Sequence, residues 1–242
     1  MVNLAVKLGK LNLKNPVILA SGTCGYGREI APYLDLNRVG AITVKGLSYY
    51  PFPGNPPPRL REVYAGVLNS IGLENKGVHR FIQEDLPFLS SFDTCLLVNI
   101  WGHTEDEFIQ VAQELDKLER VDALELNVSC PNTERGREVF CSDLEMLKSI
   151  VAKVRAVTQK LLIVKLGPEV KEWEKTLDVL ENEGVDILSL TNSFPALFID
   201  VERRDFFFKR KFAGLSGPAI KPLALKMVYE VVNYTSLPVM GM

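Results

Sequence analysis

The sequence predicts an α/β fold, a (β/α)8 barrel of the TIM type that is C-terminally incomplete, with seven strands counted. Three observations predict it. Short apolar, β-branched runs recur along the chain; helical patterns lie between them; and the length, 242 residues, is near the roughly 250 typical of such barrels. The runs are residues 16–20, 39–45, 95–100, 123–128, 161–166, 185–190 and 237–240. Continuous apolar strands alternating with helices indicate a parallel sheet covered on both faces. Each strand but the last is followed by a crossover, so one strand–helix unit is expected to be absent, and no linker divides residues 1–242 into two domains. The alternative is an open doubly wound sheet. Against it, the turn after the first strand, Ser21-Gly22-Thr23-Cys24-Gly25-Tyr26-Gly27, lacks the G-x-G-x-x-G spacing.

The helices carry their own signals. Thr104-Glu105-Asp106-Glu107 fits a capping box, with Phe108, Val111, Ala112 and Leu115 following on one face. Ser142-Asp143-Leu144-Glu145 repeats the arrangement before Leu147, Ile150, Val151 and Val154. Gly184 is placed to end the helix of Trp173, Leu177 and Leu180 in a left-handed cap.

Composition excludes several functions. The net charge is only -2 and no segment concentrates basic residues among interleaved aromatics, which argues against a nucleic-acid partner. The stretch from Arg203 to Lys211, with Phe206, Phe207 and Phe208, reads as an exposed hairpin or docking loop. No run suits a signal peptide or a membrane span, so the expected location is the cytoplasm, with no membrane partner. Cys24, Cys95, Cys130 and Cys141 form no C-x-x-C pair, and no metal site is expected. His79 and His103 are poor candidates for a main catalytic base; His103 reads as a residue near a helix start.

In a barrel the carboxyl ends of the strands form the reactive face. There the sequence places Ala20-Ser21-Gly22, Lys45-Gly46, Asn99, Asn127 with Cys130 and Asn132, Lys165, and Thr191-Asn192-Ser193. Lysines and asparagines are costly in such an interior unless they meet polar ligands. One buried lysine is accounted for by pairing with a carboxylate such as Glu125; two lysines among several amides favour an anionic or electron-rich cofactor. The turn Asn127-Val128-Ser129-Cys130-Pro131-Asn132 offers one proton-transfer group between two amides that suit a flat polar ring, set against the plainer reading of a small buried thiol.

Taken in order, the motifs resemble a known family. They are Ala20-Ser21-Gly22-Thr23, Val44-Lys45-Gly46, Gly54-Asn55-Pro56-Pro57-Pro58-Arg59, Leu68-Asn69-Ser70-Ile71-Gly72-Leu73, the Cys130 turn, Val164-Lys165-Leu166, Thr191-Asn192-Ser193, and Gly214-Leu215-Ser216-Gly217-Pro218-Ala219-Ile220-Lys221-Pro222. Over essentially the whole chain they are similar to the dihydroorotate dehydrogenases, specifically the catalytic subunit of the NAD-linked two-subunit soluble class.

That resemblance implies a single FMN-binding barrel domain that oxidises dihydroorotate to orotate in pyrimidine (UMP) biosynthesis. Cys130 matches the family's base, and Lys45 is implied to assist it beside substrate and flavin. Ala20, Ser21, Gly22, Lys45, Gly46, Asn99, Asn127, Lys165, Thr191, Gly217 and Gly241 are implied to hold FMN, with Lys165 at the flavin's pyrimidine edge and the last two glycines near the phosphate. Lys45, Asn69, Ser70, Ile71, Gly72, Leu73, Asn127, Asn132, Asn192 and Ser193 are implied to hold the substrate, the turn at Ser70–Leu73 taking its carboxylate. A homodimer joined to an electron-transfer subunit carrying FAD and an iron–sulfur cluster, as a heterotetramer, is the implied assembly; a fumarate-using homodimer is the other acceptor class. Two rival functions are a related flavin enzyme of the dihydropyrimidine dehydrogenase type, acting on uracil-like rings, and a non-catalytic flavoprotein scaffold. The carboxylate-binding turn and Asn132 favour dihydroorotate over the first.

The sequence also departs from the family pattern. A glycine is expected near Cys141, and Ala213 stands where a second glycine is usual. The loops and eighth strand that the family carries beyond Gly241-Met242 are not in this sequence, so a chain ending there is expected to bind FMN weakly.

Overall fold

The computed structural model describes residues 2–129, 131–132 and 138–242. Seven parallel strands form its central sheet: β1 (Ile18–Leu19), β2 (Ala41–Leu47), β3 (Cys95–Ile100), β4 (Ala123–Asn127), β5 (Leu161–Leu166), β6 (Ile187–Leu190) and β7 (Val239–Gly241). Their spatial order is their chain order. A doubly wound sheet reverses direction once, so this order removes that alternative and leaves the singly wound path of a barrel.

The sheet also curls. Along each strand one set of residues faces outward, and Leu96, Val98, Leu124, Leu126, Leu162 and Val164 pack against the helices. The alternate set, Ala41, Leu97, Ala123, Ile163, Ile187 and Met240, forms a single inner cluster drawn from β2 to β7. In a flat sheet the first and last of these strands lie roughly 24 Å apart, too far for side chains to meet. Leu11 and Leu13, from an amino-terminal hairpin of Val6–Leu8 and Leu11–Leu13, join the inner cluster and cover the amino end of the barrel. Between the edge strands β1 and β7 lies a cavity of about 440 Å³ lined by residues including Val6, Leu8, Ile18, Val239 and Met242.

Helices α1 (Val78–Glu84) and α2 (Leu86–Leu89) precede β3, α3 (Glu105–Asp116) precedes β4, α4 (Leu144–Val157) precedes β5, α5 (Trp173–Asn182) precedes β6, and α6 (Lys221–Tyr234) precedes β7. The cap of α3 is as expected: Thr104 accepts from the Glu107 amide, while the Glu107 carboxylate accepts from the His103 amide just before the helix. For α4 the cap is Asp143 rather than Ser142, because the Asp143 carboxylate reaches the amides of both Glu145 and Met146. Gly184, at φ +78°, ends α5 in the left-handed conformation that costs glycine least.

The first crossover differs from expectation. Among the described residues, β1 and β2 are joined by turns and a 3-10 helix at Leu36–Arg38, with no α-helix between them. Strand limits also move by one or two residues: β1 is shorter than 16–20, and β2 continues through Gly46 to Leu47.

A second sheet was not anticipated. Strands Leu60–Val63 and Gly66–Asn69, from the segment after β2, pair with Phe212–Ser216 and Phe194–Leu197, from the segment after β6, in one four-stranded antiparallel ladder. Beside it, Ile199–Asp200 and Asp205–Phe206 form the hairpin expected near Arg203. That stretch is not wholly exposed: Phe208 is buried beneath the ladder with Leu68 and Ala213.

Candidate active site

Toward the carboxyl ends of the strands, the barrel's inner face changes from apolar to polar. Thr43, Asn99, Glu125, Lys165 and Ser189 are all buried there. Removing such groups from water costs several kcal/mol each unless they find partners, so their pairing decides what the site can do.

Lys165 does not take Glu125 as its partner. Its ammonium donates to the Ser21 hydroxyl at 3.2 Å, across to the turn that follows β1. Glu125 Oε1 instead accepts from Asn99 Nδ2 at 2.6 Å. Lys165 is thus a buried cation whose hydrogen-bonded side-chain partner is neutral, an arrangement with capacity left for an anionic or electron-rich group.

Lys45 and Gly46 sit in a β-bulge. Val44 pairs with Val98 and Leu47 with Ile100, so two residues of β2 face Asn99 alone. The extra residue re-aims the end of the strand. It leaves Gly46 against Asn99, whose Oδ1 lies 2.6 Å from where a Cβ on Gly46 would be. The Lys45 ammonium is 4.0 Å from Glu74 Oε2. That carboxylate is also paired with Arg59, which donates to the carbonyls of Pro53 and Asn55 as well. Arg59 and Glu74 therefore bind the Gly54–Arg59 segment to the turn at Ser70–Leu73; Arg59 belongs to a motif legible in the sequence, whereas Glu74 lies just outside one.

Within that turn, the Ser70 amide donates to the Arg59 carbonyl at 2.8 Å. Gly72 and Leu73 have φ of +71° and +60°, and the bare face of Gly72 lies against Asn55. The close approach that glycine allows here is taken by Asn55. Gly22, at φ +81°, has open space on its bare face instead. Ala20 turns its carbonyl to the Thr23 amide and hydroxyl.

Asn127, at the end of β4, accepts from Asn192 Nδ2 at 3.2 Å, and Asn192 Oδ1 accepts from the Ser193 amide at 2.9 Å. Thr191, beside them, is buried. Asn69 comes from 145 positions away and donates to the Gly214 carbonyl at 3.1 Å. Gly214 has its bare face against the Ser193 side chain, so this glycine joins the Asn69 and Ser193 segments. Gly217 has φ +101° and meets the Gly66 backbone, whereas Gly241 meets only Val228 in ordinary contact.

Cys130 and the side chain of Asn132 lie outside the described residues. The turn just before them is tied back by the Cys141 amide, which donates to the Val128 carbonyl at 3.1 Å. Burial pushes the Cys141 thiol up to about 12, with the neighbouring Glu169 carboxyl adding to the rise. Burial likewise raises Glu169 above the usual carboxylate range. Cys141, near which a glycine is expected, is therefore held as a neutral thiol.

Comparison with known proteins agrees with this arrangement. A family profile described as dihydroorotate dehydrogenase matches residues 3–242. Relatives named as dihydroorotate dehydrogenase B (NAD(+)), catalytic subunit, include those of Thermoanaerobacter sp. (strain X514), 48% identical over 100% of this chain and 80% of the relative. Those of Thermodesulfovibrio yellowstonii and Trichlorobacter lovleyi are 48% and 47% identical, each over 98% of this chain and 78% of the relative. With its singly wound barrel, its polar strand ends and these matches along its length, the chain belongs to the dihydroorotate dehydrogenase family, among relatives of the NAD(+)-linked B class.

Proposed function

We propose that this protein oxidises dihydroorotate to orotate in pyrimidine biosynthesis, using FMN held at the carboxyl ends of the barrel strands and Cys130 as the base. The observation that carries the reading is the buried Lys165 ammonium, hydrogen-bonded to the neutral Ser21 within a ring of strand-end amides. FMN, when bound, supplies a hydride acceptor whose ring becomes electron-rich on reduction.

The residues suit that group. Lys165 stabilises negative charge on the ring without being neutralised by Glu125. Ala20, Ser21, Gly22, Gly46, Asn99 and Thr191 surround the same end of the barrel, Gly22 with open space beside it. Gly217 and Gly241 are assigned to the phosphate side.

On the substrate side, Asn69, Asn127, Asn132, Asn192 and Ser193 present donors and acceptors to the flat ring, and the turn Ser70, Ile71, Gly72 and Leu73 takes the carboxylate. Lys45 adds positive charge nearby. Oxidation breaks two C–H bonds and forms one C=C bond. Cys130, as thiolate, accepts the proton from the carbon beside the ring carbonyl; the hydride leaves the neighbouring carbon that bears the carboxylate. An ordinary thiol near pKa 8.5 needs only modest assistance from Lys45 to serve as that base at neutral pH.

Residues 1–242 act as one FMN-binding barrel domain in this reading. The electrons pass to a partner subunit carrying FAD and an iron–sulfur cluster, in a cytoplasmic heterotetramer built on a homodimer. The name "catalytic subunit" borne by the relatives supports a partner.

The test is Cys130→Ser. FMN content should be unchanged, while flavin reduction by dihydroorotate slows by about a hundredfold or more at neutral pH and recovers towards high pH, because serine is the weaker acid. Reduction as fast as the parent's across neutral pH removes Cys130 from the base role.

A further inference from the structure

Glu125 has no solvent exposure, projects into the barrel from β4, and has one hydrogen-bond partner among the described residues, Asn99. Its second oxygen, Oε2, is buried and has no partner among the described residues, and the same holds for the hydroxyl of Ser189 on β6. A carboxyl group so placed costs more than the apolar side chains found nearer the amino end of the same inner face, such as Ala123, Ile163 and Ile187. Stability alone does not account for it.

What Glu125 does fix is the orientation of an amide. Asn99 Nδ2 donates to Glu125 Oε1, so the NH2 end of the amide is held at Glu125 and the carbonyl end is turned away. Asn99 Oδ1 is thereby turned to the Lys45–Gly46 bulge, where it accepts from no group among the described residues. We infer that Glu125 is a positioning residue for the cofactor: through Asn99 it sets an acceptor, rather than a donor, on the wall of the flavin site. A ligand group with an N–H, as in the pyrimidine portion of a flavin, is what that acceptor recognises. This rests on the FMN reading given above.

Glutamine at position 125 has the same shape but presents either an oxygen or an NH2, so Asn99 loses its fixed sense. FMN is titrated into the apoprotein of the full-length chain, for parent, Glu125→Gln, Glu125→Asp, Asn99→Ala and Glu125→Gln/Asn99→Ala, each also melted without FMN. Glu125→Gln is expected to weaken FMN about tenfold, and to cause no further loss once Asn99 is alanine. Glu125→Asp, the same group one methylene short, should fall between parent and Glu125→Gln. A merely structural role lowers the melting temperature of the apoprotein and adds to the Asn99→Ala loss. FMN affinity within twofold of the parent in Glu125→Gln, or additive losses, overturns the inference and leaves the FMN reading intact. If Glu125→Gln does not fold, the same cycle with Glu125→Asp decides, additivity again overturning it. Failure of the parent itself to take up FMN overturns the FMN reading and this inference with it.

Discussion

Asn192 donates its side-chain amide to Asn127 across 3.2 Å, joining the ends of β6 and β4, which are not neighbours in the sheet. β5, with Lys165, lies between them. The pair bridges over the strand that carries the buried cation, so the amides and the ammonium are held as one unit.

Replacing Asn192 by Ala removes its bond to Asn127 and its contact with the Ser193 amide together. We expect orotate affinity to fall about tenfold, the worth of one or two net hydrogen bonds, with FMN affinity changing less. Orotate titration of the flavin-loaded protein measures both; a greater loss of FMN than of orotate would move Asn192 to the cofactor side.

Lys165→Ala should lower the flavin reduction potential and weaken FMN binding more than it weakens orotate binding. A fixed charge in a water-poor site is worth several kcal/mol to developing negative charge. Equilibration against a redox dye reads the potential, and an unchanged value assigns Lys165 to structure alone.

The bulge makes Gly46 sensitive. A Cβ there meets Asn99 Oδ1 at 2.6 Å and the Trp101 ring at 3.0 Å, and both residues are buried. Gly46→Ala is expected to cost about 1–3 kcal/mol in urea unfolding and to displace Asn99. Gly22→Ala meets nothing within 4 Å and bears only the strain of its left-handed backbone, about 1–2 kcal/mol. Loss of FMN from Gly46→Ala without loss of stability would place the clash elsewhere.

Two acids raised by burial give pH effects of the same sign in different pH ranges. Cys141 is neutral in the fold, at about 12 against an ordinary 9.0, so the stability it contributes is whole below 9.0 and is lost as pH rises towards 12. Cys141→Ala should flatten that alkaline limb. Glu169 is also raised by burial, from 4.5, so the fold is penalised wherever the unfolded chain would ionise this carboxyl. Glu169→Gln should therefore melt higher than the parent at about pH 8 and match it at about pH 4. Equal melting temperatures at both pH values would show Glu169 to be solvated in the fold.

The strands of the barrel were legible because burial on both faces writes continuous apolar runs, as at 95–100 and 161–166, whose limits match β3 and β5. The first crossover was not. Its turns satisfy backbone groups one by one, and nothing periodic marks where Leu36–Arg38 tightens into a 3-10 turn. At the site, residue types were readable and partners were not. Lys165 lies on the strand beside Glu125, yet which acceptor it reaches depends on the curl that brings Ser21 across the barrel. The four-stranded ladder was missed for the same reason: Gly66–Asn69 and Phe212–Ser216 are paired by folding across more than half the chain, and neither carries a local mark of its partner.

That ladder has a consequence for limited proteolysis. Arg203 and Arg204 lie exposed in the turn between Asp200 and Asp205, the second with φ +55°. A tryptic cut there severs the chain between Phe194–Leu197 and Phe212–Ser216, but those strands stay paired with each other and with Gly66–Asn69. The nicked protein should run as two fragments on a denaturing gel and as one species on a sizing column, with Asn69 still bonded to Gly214 beside Ser193.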